Sequence, residues 1–351
     1  MSGIIGADNA FGRDFDHPDA HMLGNIMAIF DIGCVLGSIF CYYVGERLGR
    51  RKMLMIGGII TFLGSAVYGS SCTRAQLIAG RVIAGLGTGI NSSTAPTFLS
   101  EFAPAEIRGA LSTMQGTITI LGIAIAYWTA YATSAYESSF QWRFPLAFQS
   151  FFAILLVLQT IGLPESPRWL IAHGRSEEAA PVIAAVLGKP DDDMSVELTV
   201  LAVQKSMEEE HRGGPFRFQE LFTWGRTQNL RRLLLAISVQ LGQQFSGATM
   251  INYYAPVIFQ NSMNLSRQLS LLLGGAAMCT YLLGSILPVF LIDRYGRRVL
   301  LMVCSAGLSL CFIMVTVMLW LGTTLSGYGA TVFIFVFQVV RAIGWLPVSH
   351  S

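Results

Sequence analysis

Gly45-Glu46-Arg47-Leu48-Gly49-Arg50-Arg51-Lys52 sets four cationic side chains between two long apolar runs, 22–43 and 53–71. A variant of it, Ile292-Asp293-Arg294-Tyr295-Gly296-Arg297-Arg298, again lies between two apolar runs. In each, an acid stands immediately before the first arginine, and a glycine permits a tight reversal of the backbone. A basic turn joining two membrane helices, used twice, predicts a duplicated helical bundle in lipid.

The rest of the chain fits that frame. Its 351 residues are 53% hydrophobic and 13% charged, whereas a soluble domain carries about 25% charged residues. Apolar runs at 22–43, 53–71, 77–99, 109–131, 144–163, 233–257, 269–291, 299–321 and 327–348 predict nine helices, each able to cross about 30 Å of hydrocarbon. Strand alternation is absent and the runs are too long for strands, so the class is all-α, a polytopic membrane protein. The six cysteines avoid metal-ligand spacing, and five lie inside apolar runs, where they read as small packing residues. Residues 1–21 lack the basic region and apolar core of a secretory leader.

Loop charge gives orientation. Arg47 to Lys52, Arg108, nine basic residues in 164–232, and Arg294, Arg297 and Arg298 alternate with the basic-poor loops 72–76, 132–143 and 258–268. The positive-inside rule puts the basic set in the cytoplasm and residues 1–21 outside. Three parts follow: a helical half over 1–163, a polar linker over 164–232, and a second helical portion over 233–351. In the linker, Ser176-Glu177-Glu178 reads as a helix start with Ser176 as its cap. Asp191-Asp192-Asp193 precedes a second helical stretch from Val196 to Met207, and a third runs from Phe216 to Trp224.

Several side chains carry candidate chemistry. The arginines of the turns can clamp carboxylates at neighbouring helix ends, and Glu101 and Glu165 stand at such ends. Gln240, Gln243 and Gln244 fall at i, i+3 and i+4, hence on one helix face. An amide both donates and accepts, as a sugar hydroxyl does, although amides inside spans also bond helix to helix. Asn252 lies about 80° around the helix from Gln244. Asp31 is an acid inside a span, a carrier of a proton or a structural partner of Arg81. Arg341 is a further charge inside a span.

These motifs, in this order, resemble the sugar porter family of the major facilitator superfamily, most closely its fungal members. Gly45 to Lys52 resembles the family's D-R-x-G-R-R-K turn, with Glu46 in place of aspartate. Gly80-Arg81 with Gly85-Leu86-Gly87-Thr88-Gly89 resembles the helix 4 pattern. Glu101, Pro104, Arg108 and Gly109 match E-x-x-P-x-x-x-R-G. Pro164-Glu165-Ser166-Pro167-Arg168 matches P-E-S-P-R. Gln243-Gln244, Ser246-Gly247 and Tyr253-Tyr254 resemble the helix 7 signature, and Asp293 to Arg298 is the matching turn after helix 8.

The resemblance implies a major facilitator fold, of which this chain supplies about nine of twelve transmembrane helices, family helices 2–10. It implies transport of a sugar, polyol or related polyhydroxylated solute by alternating access, facilitated or proton-coupled. Gln243, Gln244, Gln240, Asn252, Gln115 and Trp345 are the implied solute contacts. Arg47, Arg50, Arg51, Glu101, Arg108, Glu165, Arg168, Asp293, Arg297 and Arg298 are the implied gating network. Asp31 and Arg81 are implied in coupling. Three positions depart from the family: its helix 5 glutamine falls on Gly116, its helix 8 asparagine on Tyr281, and its second helix 10 tryptophan on His350. The resemblance implies no cofactor beyond a co-transported proton, a monomer, and a multi-pass position in the plasma membrane. A transporter-like nutrient sensor and a truncated, non-functional piece of a transporter are the alternative readings. No hydrolytic or redox constellation points to an enzyme, and no basic soluble patch points to nucleic acid.

Overall fold

The structure is a computed structural model that describes residues 9–104, 107–211, 222, 228–247, 251, 259–260, 266–288, 291, 295–321 and 323–344. Each of the nine apolar runs carries a helix. In the first half these are α2 (Ala20–Leu48), α3 (Arg50–Gly69), α4 (Arg74–Phe102), α5 (Arg108–Thr133) and α6 (Phe140–Gly162), preceded by a short α1 (Ala10–Asp14). The linker forms α7 (Pro167–Ala172), α8 (Ser176–Leu187) and α9 (Met194–His211). The second portion holds α10 (Asn229–Phe245), α11 (Arg267–Gly284), α12 (Arg297–Leu321) and α13 (Thr324–Gly344). No strand occurs among the described residues.

Six of the nine, α2, α3, α5, α6, α12 and α13, are long and apolar enough by themselves to cross a bilayer. The other three have identifiable reasons for falling short. Helix α4 carries Arg81 and several glycines and is covered by α2 on one side and α3 on the other, so it exposes little surface to lipid. Helix α10 stops early, because Gly247 turns the chain at φ +69° and packs against Phe312. The continuous run expected over 233–257 is therefore broken. Helix α11 is a shorter apolar helix. Side chains such as Val35, Leu158, Val303 and Leu310 are more than half exposed, as the lipid-facing side of a bundle requires.

Glycines bring the helices of the first half into contact. A Cβ on Gly37 would overlap the Leu86 carbonyl, and one on Gly89 would overlap the Cys34 carbonyl, so α2 and α4 meet backbone to backbone. Gly64 and Gly80 do the same between α3 and α4, against Ala84 and Tyr68. At the end opposite the basic turn, α1 plugs the bundle. Phe11 and Phe15 pack on the fully buried Trp142 of α6, whose indole N–H donates to Asp14 at 2.7 Å. Arg74 holds this plug by donating to the Phe15 carbonyl at 2.6 and 3.0 Å.

The linker helices form their own small core, with Trp169, Leu170, Ile183 and Val196 inside. The expected cap at Ser176 is corrected. Arg175 is the cap residue, and the Ser176 hydroxyl accepts a hydrogen bond from Gln204 of α9 at 3.0 Å. The aspartate run does start α9. Asp193 accepts the Ser195 N–H at 2.8 Å, and its carboxyl is held below the usual range by hydrogen bonds from the Ser195 hydroxyl and backbone. That local bond is present at neutral pH and is lost as the pH falls through the lowered value. The third expected stretch, 216–224, lies outside the described residues except for Phe222.

The glycine contacts predict a sharp contrast. Gly37→Leu or Gly89→Leu pushes α2 off α4 and yields protein that elutes aggregated from detergent. Gly122→Ala, where nothing lies within 4 Å of the added carbon, elutes as a single peak like the parent. Size-exclusion chromatography of the three variants side by side checks this.

Candidate functional site: the clasped basic turn and the inter-half seam

Helices α2 and α3 are antiparallel neighbours, and Gly49 at φ +89° makes the reversal between them. The new helix has no side-chain cap of its own, so its first N–H groups need a distant acceptor. Glu165 supplies it. Its Oε1 accepts the backbone N–H of Arg50 at 2.9 Å, of Arg51 at 3.0 Å and of its neighbour Ser166 at 3.0 Å. A carboxylate at a helix N-terminus also meets the positive end of the helix dipole, and such caps are worth about 1–2 kcal/mol. Gly49 is required for a second reason. A Cβ there would run into the Glu165 carboxylate and approach the Trp169 ring.

The arginines reach other ends. Arg50 bridges Glu46 at 2.9 Å and Glu101 at 3.1 Å, with a second bond from Nε to Glu101 at 3.2 Å. Arg51 donates to the Thr160 and Ile161 carbonyls at 3.1 and 2.7 Å, which satisfies acceptors at the C-terminal end of α6. Trp169 of α7 donates its indole N–H to the Glu46 carbonyl at 2.7 Å and stacks on His173. One short turn thus joins the ends of α2, α4 and α6 to the starts of α3 and α7.

Not every expected member is in the cluster. Arg108 donates to the Ala103 carbonyl at 3.4 Å. Arg47 is exposed on α2, and Arg168, also exposed, has an interaction of its own on α7. In the second basic turn, Gly296 also has φ +75°, but no described atom lies within 4 Å of where its Cβ would be. Asp293 and the Arg297 side chain lie outside the described residues, and Arg298 is exposed at the start of α12. Trp169 was missed from sequence, although the Ser166-Pro167 helix start next to Glu165 is the signal that places it there.

The expected solute contacts lie elsewhere. Gln240 and Gln244 are exposed and Gln243 half-buried on α10, a helix with no buried residue. Gln115 is half-buried on α5. Asn252 and Trp345 lie outside the described residues. Asp31 and Arg81 are not brought together. Asp31 is exposed on α2, whereas Arg81 is buried on α4 with its guanidinium 5.5 Å over the Phe30 ring. A cleft of about 510 Å³ opens at the end opposite the basic turn, lined by Asp16, His17, Asp19, His21 and Arg74, away from the glutamines.

The two portions meet along α5 and α11. Ile120 and Ala124 of α5 pack on Met278 and Tyr281 of α11 and on Ala342 of α13. Thr117 donates to the Ser285 carbonyl at 3.3 Å, and Trp128 to the Cys279 sulfur at 3.2 Å. Within this seam the Arg341 guanidinium lies 4.9 Å over the buried Tyr281 ring. An arginine costs about 2.5–3.5 kcal/mol at the centre of a span and less in the last turn, where Arg341 stands on α13. A ring contact returns about 0.5–2 kcal/mol, so the ring alone does not settle this charge.

Comparison with known proteins places this arrangement. The family described as "Sugar (and other) transporter" matches residues 8–350. The MFS-type transporter oryC of Aspergillus oryzae is 39% identical over 299 residues, covering 85% of this chain and 55% of that protein. The sugar transporter STL1 of Saccharomyces cerevisiae is 36% identical over 334 residues, covering 92% of this chain and 58% of that protein. The chain therefore spans a little over half the length of these curated relatives. Among solved structures, the proton:xylose symporter XylE bound to 6-bromo-6-deoxy-D-glucose superposes with a TM-score of 0.80 at 24% identity, covering 94% of this chain and 71% of that one. A partially occluded, inward-open form of XylE from E. coli gives 0.82 at 21% identity, covering 99% and 82%. These structural likenesses establish the fold, a major facilitator arrangement of membrane-spanning helices. With nearly its whole length matched, the chain belongs to the sugar (and other) transporter family.

Proposed function

We propose that this chain forms the moving core of a solute carrier that passes a sugar or polyol across a membrane by alternating access. The observation that carries this reading is the contrast between its two kinds of junction. At the basic end, one turn ties the ends of α2, α4 and α6 and the starts of α3 and α7 into a unit. Between the two portions, the contact runs along α5 and α11 with two side-chain hydrogen bonds among the described residues. A unit rigid within and lightly joined to its partner can rock, which is how such carriers expose a central site to one side and then the other.

In this proposal Gln243, Gln244 and Gln240 read solute hydroxyls from α10, and Gln115 contributes from α5. Asn252 and Trp345 complete the set. The break at Gly247 gives α10 a place to bend. Asp31 is the one acid away from a helix end in the described spans, and it is the proposed proton carrier. The named activity of XylE, a proton:xylose symporter, supports coupling of the same kind. The carrier works as a monomer in the plasma membrane, with the Arg50 cluster on the cytoplasmic side and no cofactor other than the proton.

Uptake measures the first claim. The complete reading frame containing this chain, expressed in cells without hexose uptake, takes up a labelled hexose or polyol with saturation, and a protonophore or Asp31→Asn reduces it at least tenfold. Gln243→Ala raises KM about tenfold, which corresponds to roughly 1.4 kcal/mol of lost solute binding. Absence of uptake for every polyhydroxylated solute at normal expression contradicts the proposal. A second expectation concerns the cluster. Glu165→Ala and Arg50→Ala each increase labelling of a cysteine placed on the cytoplasmic side of α10, whereas Arg108→Ala has a smaller effect. Equal labelling in all three removes the cluster from gating.

A further inference from the structure

Arg341 is the charge that the transport reading leaves unused. It sits about 25 Å along α13 from the start of that helix, inside the apolar seam of Ile120, Ala124 and Met278. Its Nη1 is buried and meets no hydrogen-bond partner among the described residues. None of α5, α10, α11, α12 and α13 contains an aspartate or glutamate. The described helices of this half and its seam therefore supply no counter-anion, and no described carboxylate lies within ion-pair distance of Arg341. A guanidinium does not lose its proton in proteins, so the charge cannot be removed by titration.

A permanent cation in the last turn of α13, beside the contact between the two portions and with an enclosed Nη1 left without a partner, has a donor to offer an anion that arrives from outside. We infer that Arg341 is a specificity-determining residue that binds the carboxylate of a polyhydroxylated acid, such as an aldonic or uronic acid. The guanidinium edge takes a carboxylate with two parallel N–H···O bonds, and the Tyr281 ring holds the guanidinium plane from one side. Hydroxyls on the rest of the solute match the amides of α10. Charge and hydroxyls together define the class: an anion without hydroxyls leaves the amides unused, and a neutral sugar leaves Arg341 uncompensated. This inference rests on the transport reading for its solute class but is tested by binding alone.

The purified chain in detergent is titrated with D-gluconate, D-glucose and acetate, with calorimetry or a thermal shift as the readout. The parent binds gluconate at least tenfold more tightly than either of the other two. Arg341→Gln lowers gluconate affinity at least tenfold and leaves glucose affinity within twofold. Arg341→Lys, which keeps the charge and loses the planar fork, falls between. Acetate binding as tight as gluconate, glucose binding tighter than gluconate, or gluconate affinity unchanged in either variant overturns the inference. If Arg341→Gln does not fold, the ranking in the parent and the Arg341→Lys titration decide. Arg341-dependent gluconate binding without uptake of any solute supports this site and removes the transport reading.

Discussion

The carboxylate of Glu165 is the acceptor on which the basic end of the bundle depends. Helix α3 begins directly after a glycine reversal and brings no capping side chain of its own. Its first amides are satisfied from a residue more than a hundred positions away. That bond fixes where α7 begins, and α7 in turn places Trp169 under the turn, where its indole satisfies the Glu46 carbonyl. The arginines then fill the remaining needs, Arg50 for two carboxylates and Arg51 for two carbonyls at the end of α6. Several helix ends, each with unsatisfied backbone groups, are thereby closed by one residue run. The opposite end is closed differently, by the aromatic plug of Phe11, Phe15 and Trp142.

Much of this was legible in the sequence. Apolar run length gave the helices, because in lipid every backbone group must be satisfied within the segment. The glycine of the turn and the presence of Glu165 near it were also readable. The identity of the donors was not, since a backbone N–H carries no letter in a sequence. Charge pairing alone suggests a guanidinium partner for Glu165, and the structure gives it amides. The Ala103 carbonyl as an acceptor for Arg108 was equally invisible, for the same reason. An Asp31–Arg81 pair was one of two readings of Asp31, and the structure leaves Asp31 exposed and Arg81 buried against Phe30. The break in α10 was hidden because Gly247 sits in an otherwise apolar run, and a positive φ is not visible until packing against Phe312 requires it.

The two portions of the chain differ in how they handle charge. In the first, Arg50 and Arg51 of the turn meet carboxylates and carbonyls. In the second, Arg341 is half-buried, with its Nη1 enclosed, in a set of helices that contain no acid. A structural charge is ordinarily compensated by its neighbours, since leaving one partner of a buried pair alone costs several kcal/mol. Among the described residues, no carboxylate compensates Arg341 at the place where the two portions touch. That is a property of a site that receives something, and it fits a family whose members are built around a solute.

Amide hydrogen exchange at residues 50–53, compared between the parent protein and Glu165→Gln, tests the central claim most directly. The neutral amide of glutamine keeps the shape and loses the charge that holds three N–H groups. The account predicts exchange at least tenfold faster at Arg50 and Arg51, with faster exchange also at the start of α7 and no change in α12 and α13. Unchanged protection at Arg50 and Arg51 would contradict it, because the first turn of α3 would then be held by something other than Glu165.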